Sequence, residues 1–191
     1  MPPIVIAKFN IWVFVVAFLF LSGLGGCTVH GPMVSGTVDM TPTVKPNSSS
    51  PIGKTLRVGE VFGPNNKPVP KVSADALRSA IVRAFASSRI FLSVSADPPG
   101  DLELRTFIVA GDITKQREFS SFEMRVETTV RYEIVDTTTG DVVWRDTFRG
   151  AGGSTTFNGG TAFAEAREIG LRETIAALVE GVGMHWDKTP K

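Results

Sequence analysis

Residues 122–134, FEMRVETTVRYEI, alternate between apolar and polar side chains along their whole length. A period of two residues is that of a β-strand, and no helix would separate the two sets. The sequence therefore predicts a strand with one buried face and one face that contacts water or a partner. Mixed charges at this spacing are typical of a solvated sheet face, and they are also the candidate interaction face. Its charged residues are Glu123, Arg125, Glu127, Arg131 and Glu133.

A turn and a return strand are expected directly after this strand. Residues 136–149, DTTTGDVVWRDTFR, place a Thr/Gly/Asp cluster before an apolar stretch, which indicates a hairpin. A pairing that sets Tyr132 opposite Trp144 would join two aromatic side chains on the apolar face. The same pairing brings Arg131 beside Arg145, which is unfavourable, so the sequence leaves the register open.

Weaker patterns predict the remaining elements of a domain at residues 55–186, followed by a tail at 187–191. Strands are expected at 56–62 and 101–110, and helices at 73–89 and from 161 to about 182. Residues 111–121 are interpreted as a polar connection and 150–160 as a flexible Gly/Thr loop. The order β-α-β-β-β-α, with two helices on one face of a mostly antiparallel sheet, predicts an α+β two-layer sandwich.

The N-terminus has the pattern of an export signal. Lys8 precedes an apolar run at 11–21, which is long enough for a signal but shorter than the roughly 20 residues of a membrane span. The alternative is an uncleaved anchor at 4–24, which would place Lys8 and Asn10 in hydrocarbon at a large cost. We therefore expect residues 1–26 to be a signal peptide.

Residues 24–27, LGGC, resemble the lipobox of bacterial lipoproteins. The resemblance implies transfer of a diacylglyceryl group to the Cys27 thiol, cleavage before that residue, and acylation of the new amino terminus. Several acyl chains give durable attachment to a membrane, and no cofactor beyond this covalent lipid, a palmitate-type acyl modification, is expected. The residues of the motif are Leu24, Gly25, Gly26 and Cys27.

The location that we expect is the periplasmic face of the outer membrane. Thr28 follows Cys27 where many retained lipoproteins have Asp, and in enteric bacteria its absence favours sorting to the outer membrane; the inner membrane is the alternative. Residues 27–54 are rich in Pro, Gly and Ser, which is the composition of a flexible tether.

Charge and histidine content argue against several classes of function. Removal of Lys8 with the signal leaves 19 of the 20 basic residues against 19 acidic ones, so no field attracts nucleic acid. His30 lies in the tether and His185 after the last helical stripe, and no serine or cysteine lies in a nucleophile elbow. Two distant histidines form no metal site. We expect neither an enzyme nor a metalloprotein.

Residues 132–149, YEIVDTTTGDVVWRDTFR, carry a family resemblance. The segment resembles one found in penicillin-binding-protein activators, curli-secretion lipoproteins and auxiliary lipoproteins of ABC-type envelope transporters. The shared pattern is a strand, an Asp, a turn, Thr-Gly, an aliphatic residue, a Trp and a second strand. Lipopolysaccharide-assembly lipoproteins are similar in size and architecture. The resemblance implies a non-catalytic domain that docks on an envelope protein. The alternative is a lipid or glycolipid binder with a cavity between helices and sheet.

Overall fold

The structure, a computed structural model, describes residues 38–46, 51–67, 71–117, 122–156 and 159–187. The expected signal peptide, the lipobox and the first part of the tether lie outside these residues. In chain order the elements are β1 (Ile52–Phe62), a single 3-10 turn (Pro64–Asn66), α1 (Lys71–Ser88), β2 (Phe91–Ser95), β3 (Leu102–Arg117), β4 (Phe122–Asp136), β5 (Val142–Thr156) and α2 (Gly159–Asp187).

The strands form one sheet in the order β2-β1-β3-β4-β5. β1 is parallel to β2 and β3, whereas β4 is antiparallel to both β3 and β5. The predicted α+β sandwich with two helices on one sheet face is confirmed. The sheet is mixed, because α1 returns the chain to the same end and makes β1 and β2 parallel, but its longest pairings, β3 with β4 and β4 with β5, are antiparallel as predicted. β2 is missing from the predicted order, since five residues with an exposed Leu92 show no clear alternation.

The helix side of β4 is buried as the alternation predicts. Tyr132 is fully buried there, and its hydroxyl lies 2.9 Å from the Oγ1 of Thr174 in α2. Because Thr174 donates its own proton to the carbonyl of Leu171, the Tyr132 hydroxyl donates to Thr174. Burial raises the pKa of Tyr132 well above its usual value. The buried β4 side chains on this face are Met124, Val126, Thr128, Val130, Tyr132 and Ile134.

Two predicted connections belong to long strands. β3 continues to Arg117 through most of 111–121, and β5 continues to Thr156 through most of the expected loop at 150–160. A Cβ on Gly152 would overlap the carbonyl of Ala166 in α2 and lie 2.7 Å from the amide nitrogen of Gly170. Glycine is therefore required here because β5 and the α2 backbone approach closely, and not because the segment is flexible.

α2 also continues beyond the two glycines at which it was expected to end. Gly181 and Gly183 lie inside the helix, which ends at Asp187. A Cβ on Gly181 would lie 3.0 Å from the Phe148 ring and 3.5 Å from the Trp144 ring. The absent side chain at Gly181 thus leaves space for aromatic side chains of β5, and its sequence signal is that of packing rather than of a helix end.

The β4–β5 hairpin differs by two residues from the pairing considered above. Trp144 lies opposite Ile134, and Arg145 lies opposite Glu133. Arg131 then faces Thr147 rather than Arg145, so the unfavourable arginine pair does not occur. Cross-strand charge pairing therefore agrees with the observed register better than aromatic pairing does.

Residues 38–46, which we call the strap, lie on the folded domain although the sequence places them in the tether. Met40 is buried in the main apolar core, and Val44 packs against the same core. β1 also begins at Ile52 rather than near residue 55. Because Met40 removes its side chain from water by packing there, the strap belongs to the folded domain.

Polar contacts hold the strap on both helices. The backbone N–H of Val38 donates to Glu168 of α2 at 2.9 Å. Arg83 of α1 donates from Nε to the hydroxyl of Thr41 at 2.8 Å, and its Nη2 lies 3.1 Å from the carboxylate of Asp39. The backbone N–H of Thr41, followed by its hydroxyl and then Arg83, lowers the pKa of Asp39. The strap therefore makes polar contacts with both helices.

Candidate interaction face

Both helices pack on the side of the sheet that carries Tyr132, and no helix of the described residues covers the other side. We call this second side, formed by side chains of β1, β3, β4 and β5, the open face. Strand register places its side chains in rows that cross the strands. The sheet therefore fixes which charged groups meet, at about 4.8 Å from strand to strand.

The central row consists of Arg105, Glu133 and Arg145, one residue from each of β3, β4 and β5. The Oε1 atom of Glu133 lies 2.9 Å from Nε of Arg145 and 3.2 Å from Nε of Arg131. Only 10% of the Glu133 side chain is exposed. The carboxylate thus lies below two guanidinium groups and holds both in place.

A second, partly buried carboxylate, that of Glu103, lies nearer β1. Its Oε2 accepts Nε of Arg105 at 3.1 Å and lies 3.0 Å from Nη2 of the same side chain, while its Oε1 lies 3.6 Å from Nη1 of Arg57. A Cβ on Gly59 would lie 2.7 Å from Oε1 of Glu103. Glycine at that position therefore leaves the space that the carboxylate occupies.

Two phenylalanines lie beside these charges. The guanidinium carbon of Arg131 lies 4.5 Å from the centre of the Phe107 ring, and Phe62 stacks on Phe107 with 5.1 Å between ring centres. A cation over an aromatic face is attracted to the ring, and the contact limits the rotamers of the arginine. The open face therefore combines oriented guanidinium groups with a half-buried aromatic pair.

The residues predicted for this face are partly brought together. Arg131 and Glu133 belong to the central cluster, Glu127 lies 3.7 Å from Arg149, and Arg125 is exposed. The side chain of Glu123 lies outside what the structure describes. Sequence reasoning missed the groups on neighbouring strands, because one strand does not reveal its partners. The alternation of apolar and polar side chains at residues 102–109 was part of the information needed to find them, since it predicts the strand that carries some of these groups. The missed residues are Arg57, Glu103, Arg105, Phe107 and Arg145.

The sheet edge formed by β5 is partly closed to an added strand. The N–H of Thr147 donates to the carboxylate of Asp146 at 2.7 Å, and the N–H of Ala151 donates to Glu173 of α2 at 2.8 Å. A strand that added to this edge would have to replace both carboxylates. The open face is therefore a better docking surface than this edge.

Other features have weaker functional implications. Nowhere in the described ranges do three His, Cys, Asp or Glu side chains converge as metal ligands would. His185, in the last turn of α2, packs against Trp186 with 4.8 Å between ring centres. His30 and the lipobox lie outside the described residues. A shallow surface pocket of about 210 Å³ lies between strap and α2, lined by Thr41, Pro42, Thr43, Arg172, Glu173 and Ala176.

The structure is similar to those of several bacterial proteins. Protein XCC0632 of Xanthomonas campestris, from family DUF330, is 21% identical, with 78% of this chain and 97% of that chain covered and a TM-score of 0.55. PelC of Paraburkholderia phytofirmans, crystallised as a dodecamer, is 14% identical (72% and 89% covered, TM-score 0.43). A minor lipoprotein of Acinetobacter baumannii is 11% identical (71% and 95% covered, TM-score 0.45).

Sequence comparison gives no relatives. No family model and no curated protein matches the chain. At 21% identity the likeness to XCC0632 concerns the fold alone. The chain is therefore similar to XCC0632 in its α+β fold, over nearly the full length of that protein.

Proposed function

We propose that this chain is a lipid-anchored bacterial lipoprotein whose non-catalytic domain docks on a protein of the cell envelope through the open face. The observation that carries the proposal is the open face itself, which spans four strands and holds arginines on the buried carboxylate of Glu133 and the partly buried carboxylate of Glu103. Fixed side chains lose little freedom on binding, and arginine is enriched at protein interfaces. The envelope location follows from the proposed lipid anchor.

The anchor is proposed from the sequence of residues 24–27, LGGC. Acyl chains on Cys27 would hold the mature chain at the periplasmic face of the outer membrane, with the inner membrane as the alternative. Among the helices in the described residues, none has the length and apolarity of a membrane span.

Lipidation is tested by growing cells with labelled palmitate and comparing the wild type with Cys27→Ser. The wild type should incorporate label, lose residues 1–26 and sediment with membranes, and the variant should do none of these. A mature protein that still carries Met1 would refute the anchor.

Packing between helices and sheet supports docking over a lipid-binding cavity. The space contains fully buried side chains from both helices and from the sheet, among them Phe85, Leu104, Tyr132, Ile175 and Leu178. Interiors packed in this way have few voids larger than a water molecule. An acyl chain would have to displace this core, whereas a protein partner can bind the open face with little rearrangement.

Docking is tested with a photo-crosslinking amino acid placed at Thr147, an exposed position on the open face opposite Arg131. The control carries the same group at Glu180, an exposed position on α2. In intact cells, Thr147 should form an adduct with a specific envelope protein and Glu180 should not. Equal adducts at the two positions, or none at Thr147, would contradict docking through the open face.

A further inference from the structure

Two carboxylates of the open face lie deeper than its most exposed guanidinium groups. Glu103 is 16% exposed and Glu133 is 10% exposed, whereas Arg145 is 57% exposed and Arg149 is 77% exposed. A partner that approaches this face therefore meets guanidinium groups first. The sequence of the strands alone does not reveal this difference in side-chain exposure.

Positive charge is also in excess on the described part of this face. The arginines are Arg57, Arg105, Arg125, Arg131, Arg145 and Arg149, and the acidic residues are Glu103, Asp112, Glu127 and Glu133. The whole chain has a formal charge of only +1. Because two of the four carboxylates lie beneath the arginines, the excess at the outer surface is larger than the count suggests.

We propose that the docking partner presents a carboxylate-bearing protein segment to these arginines. The guanidinium group is a planar fork that binds carboxylates with two hydrogen bonds, and Glu133 contacts Arg131 and Arg145 through their Nε atoms. The register makes Arg131 and Arg145 diagonal neighbours on adjacent strands, about 7 Å apart at their Cα atoms, and Arg149 lies four residues further along β5. Acidic side chains on one face of a strand or helix have similar spacings.

A protein segment fits this face better than the phosphate of a lipid. Phosphate sites typically use backbone N–H groups that converge from a loop or a helix start, whereas the donors here are side chains spread over a sheet. The stacked pair Phe62 and Phe107 beside Arg131 adds apolar surface of the kind that protein interfaces bury. The inference rests on the proposed function and specifies the chemistry of its partner.

The test uses the full-length protein in its own cells, with the photo-crosslinker at Thr147 and charge reversal at Arg145 and Arg149. The Arg145→Glu/Arg149→Glu variant should reduce the adduct about tenfold or more, because two attractive pairs become repulsive. The control Arg89→Glu reverses an exposed charge in the turn after α1 and should leave the adduct unchanged. Mass spectrometry of the captured peptide should find Asp or Glu at alternate positions or at i, i+4 spacing.

Three outcomes would overturn the inference: an unchanged adduct in the reversed variant, a captured peptide without acidic residues, or an adduct with phospholipid or lipopolysaccharide. If the double variant fails to fold, Arg149→Glu alone serves, since this side chain is mostly exposed and its ion pair is long at 3.7 Å. If charge reversal leaves a protein adduct unchanged, the inference of an acidic partner is refuted, but the proposed docking function is not. If no adduct forms at Thr147, both the inference of an acidic partner and the proposed docking function are refuted.

Discussion

The substitution Gly152→Ala tests whether residues 150–156 are a strand against α2 or a mobile loop. A Cβ at Gly152 would overlap the carbonyl of Ala166 and lie 2.7 Å from the amide nitrogen of Gly170, where ordinary contacts begin at 3.4 Å. Both neighbours are backbone atoms, so no side-chain rotation relieves the contact. β5 and α2 would have to separate by more than the roughly 0.7 Å that the Gly170 contact alone requires, because the overlap with the Ala166 carbonyl is deeper.

Overpacking of this kind costs about 1–3 kcal/mol, and a backbone collision favours the upper end. We expect Gly152→Ala to lower the free energy of unfolding by about 3 kcal/mol. With a urea dependence of about 2 kcal/mol per molar, the unfolding midpoint should fall by about 1.5 M. The assay is urea denaturation of the purified protein, followed by tryptophan fluorescence and far-ultraviolet circular dichroism.

The matched control is Gly153→Ala, one residue further along the same strand. Its Cβ would approach only the carbonyl of Met124, at 3.9 Å, so we expect a change within about 0.5 kcal/mol. Equal midpoints for the wild type and Gly152→Ala would refute the close approach of β5 and α2. Equal losses in the two variants would show instead that any side chain in this segment is harmful.

Three other measurements test the packing, the strap and the ion pairs. Tyr132→Phe removes the hydrogen bond to Thr174 and should cost about 1 kcal/mol in urea denaturation; no change would mean that the buried hydroxyl has no net effect. Met40→Ala should weaken the strap by about 2 kcal/mol, visible as faster proteolysis within residues 38–46, and unchanged cleavage would contradict its docking. Three carboxyl groups have lowered pKa values, so their stabilisation is present above about pH 4 and is lost as pH falls through the folded-state pKa values. The melting temperature should therefore fall below about pH 4, and it should fall less when Asp101 and Asp136 are changed to Asn. The three carboxyl groups belong to Asp39, Asp101 and Asp136.

The sequence predicts the elements whose burial follows a simple period. β4 is recognisable because its inner side chains are buried and its outer ones are mostly charged. β2 is not recognisable, because it has only five residues and lies at a sheet edge. The strap has no period of its own, and its position depends on contacts between Met40 and a core that forms from distant residues.

Glycine residues account for most of the remaining differences between the predicted and the observed bounds of helices and strands. In the sequence, Gly150 and Gly152 indicate a loop and Gly181 indicates a helix end, whereas all three provide space for a neighbour. Residue identity does not distinguish a glycine selected for conformation from one selected for close packing. The candidate face was predictable on β4 alone, since the arginines that complete it come from strands whose neighbours only the fold reveals.

The docked strap also limits how much chain would separate the proposed lipid on Cys27 from the folded domain. From Cys27 to Val38 the chain has 11 residues, which reach at most about 40 Å when fully extended. A linker that ran freely from Cys27 to Thr55 would reach about 100 Å when fully extended. Because the effective concentration of a flexibly tethered domain falls roughly as the −3/2 power of linker length, the shorter connection would raise the local concentration near the bilayer about fourfold. For the proposed lipid-anchored protein, a partner in the same membrane would therefore be met at short range, and even a weak contact would be well populated.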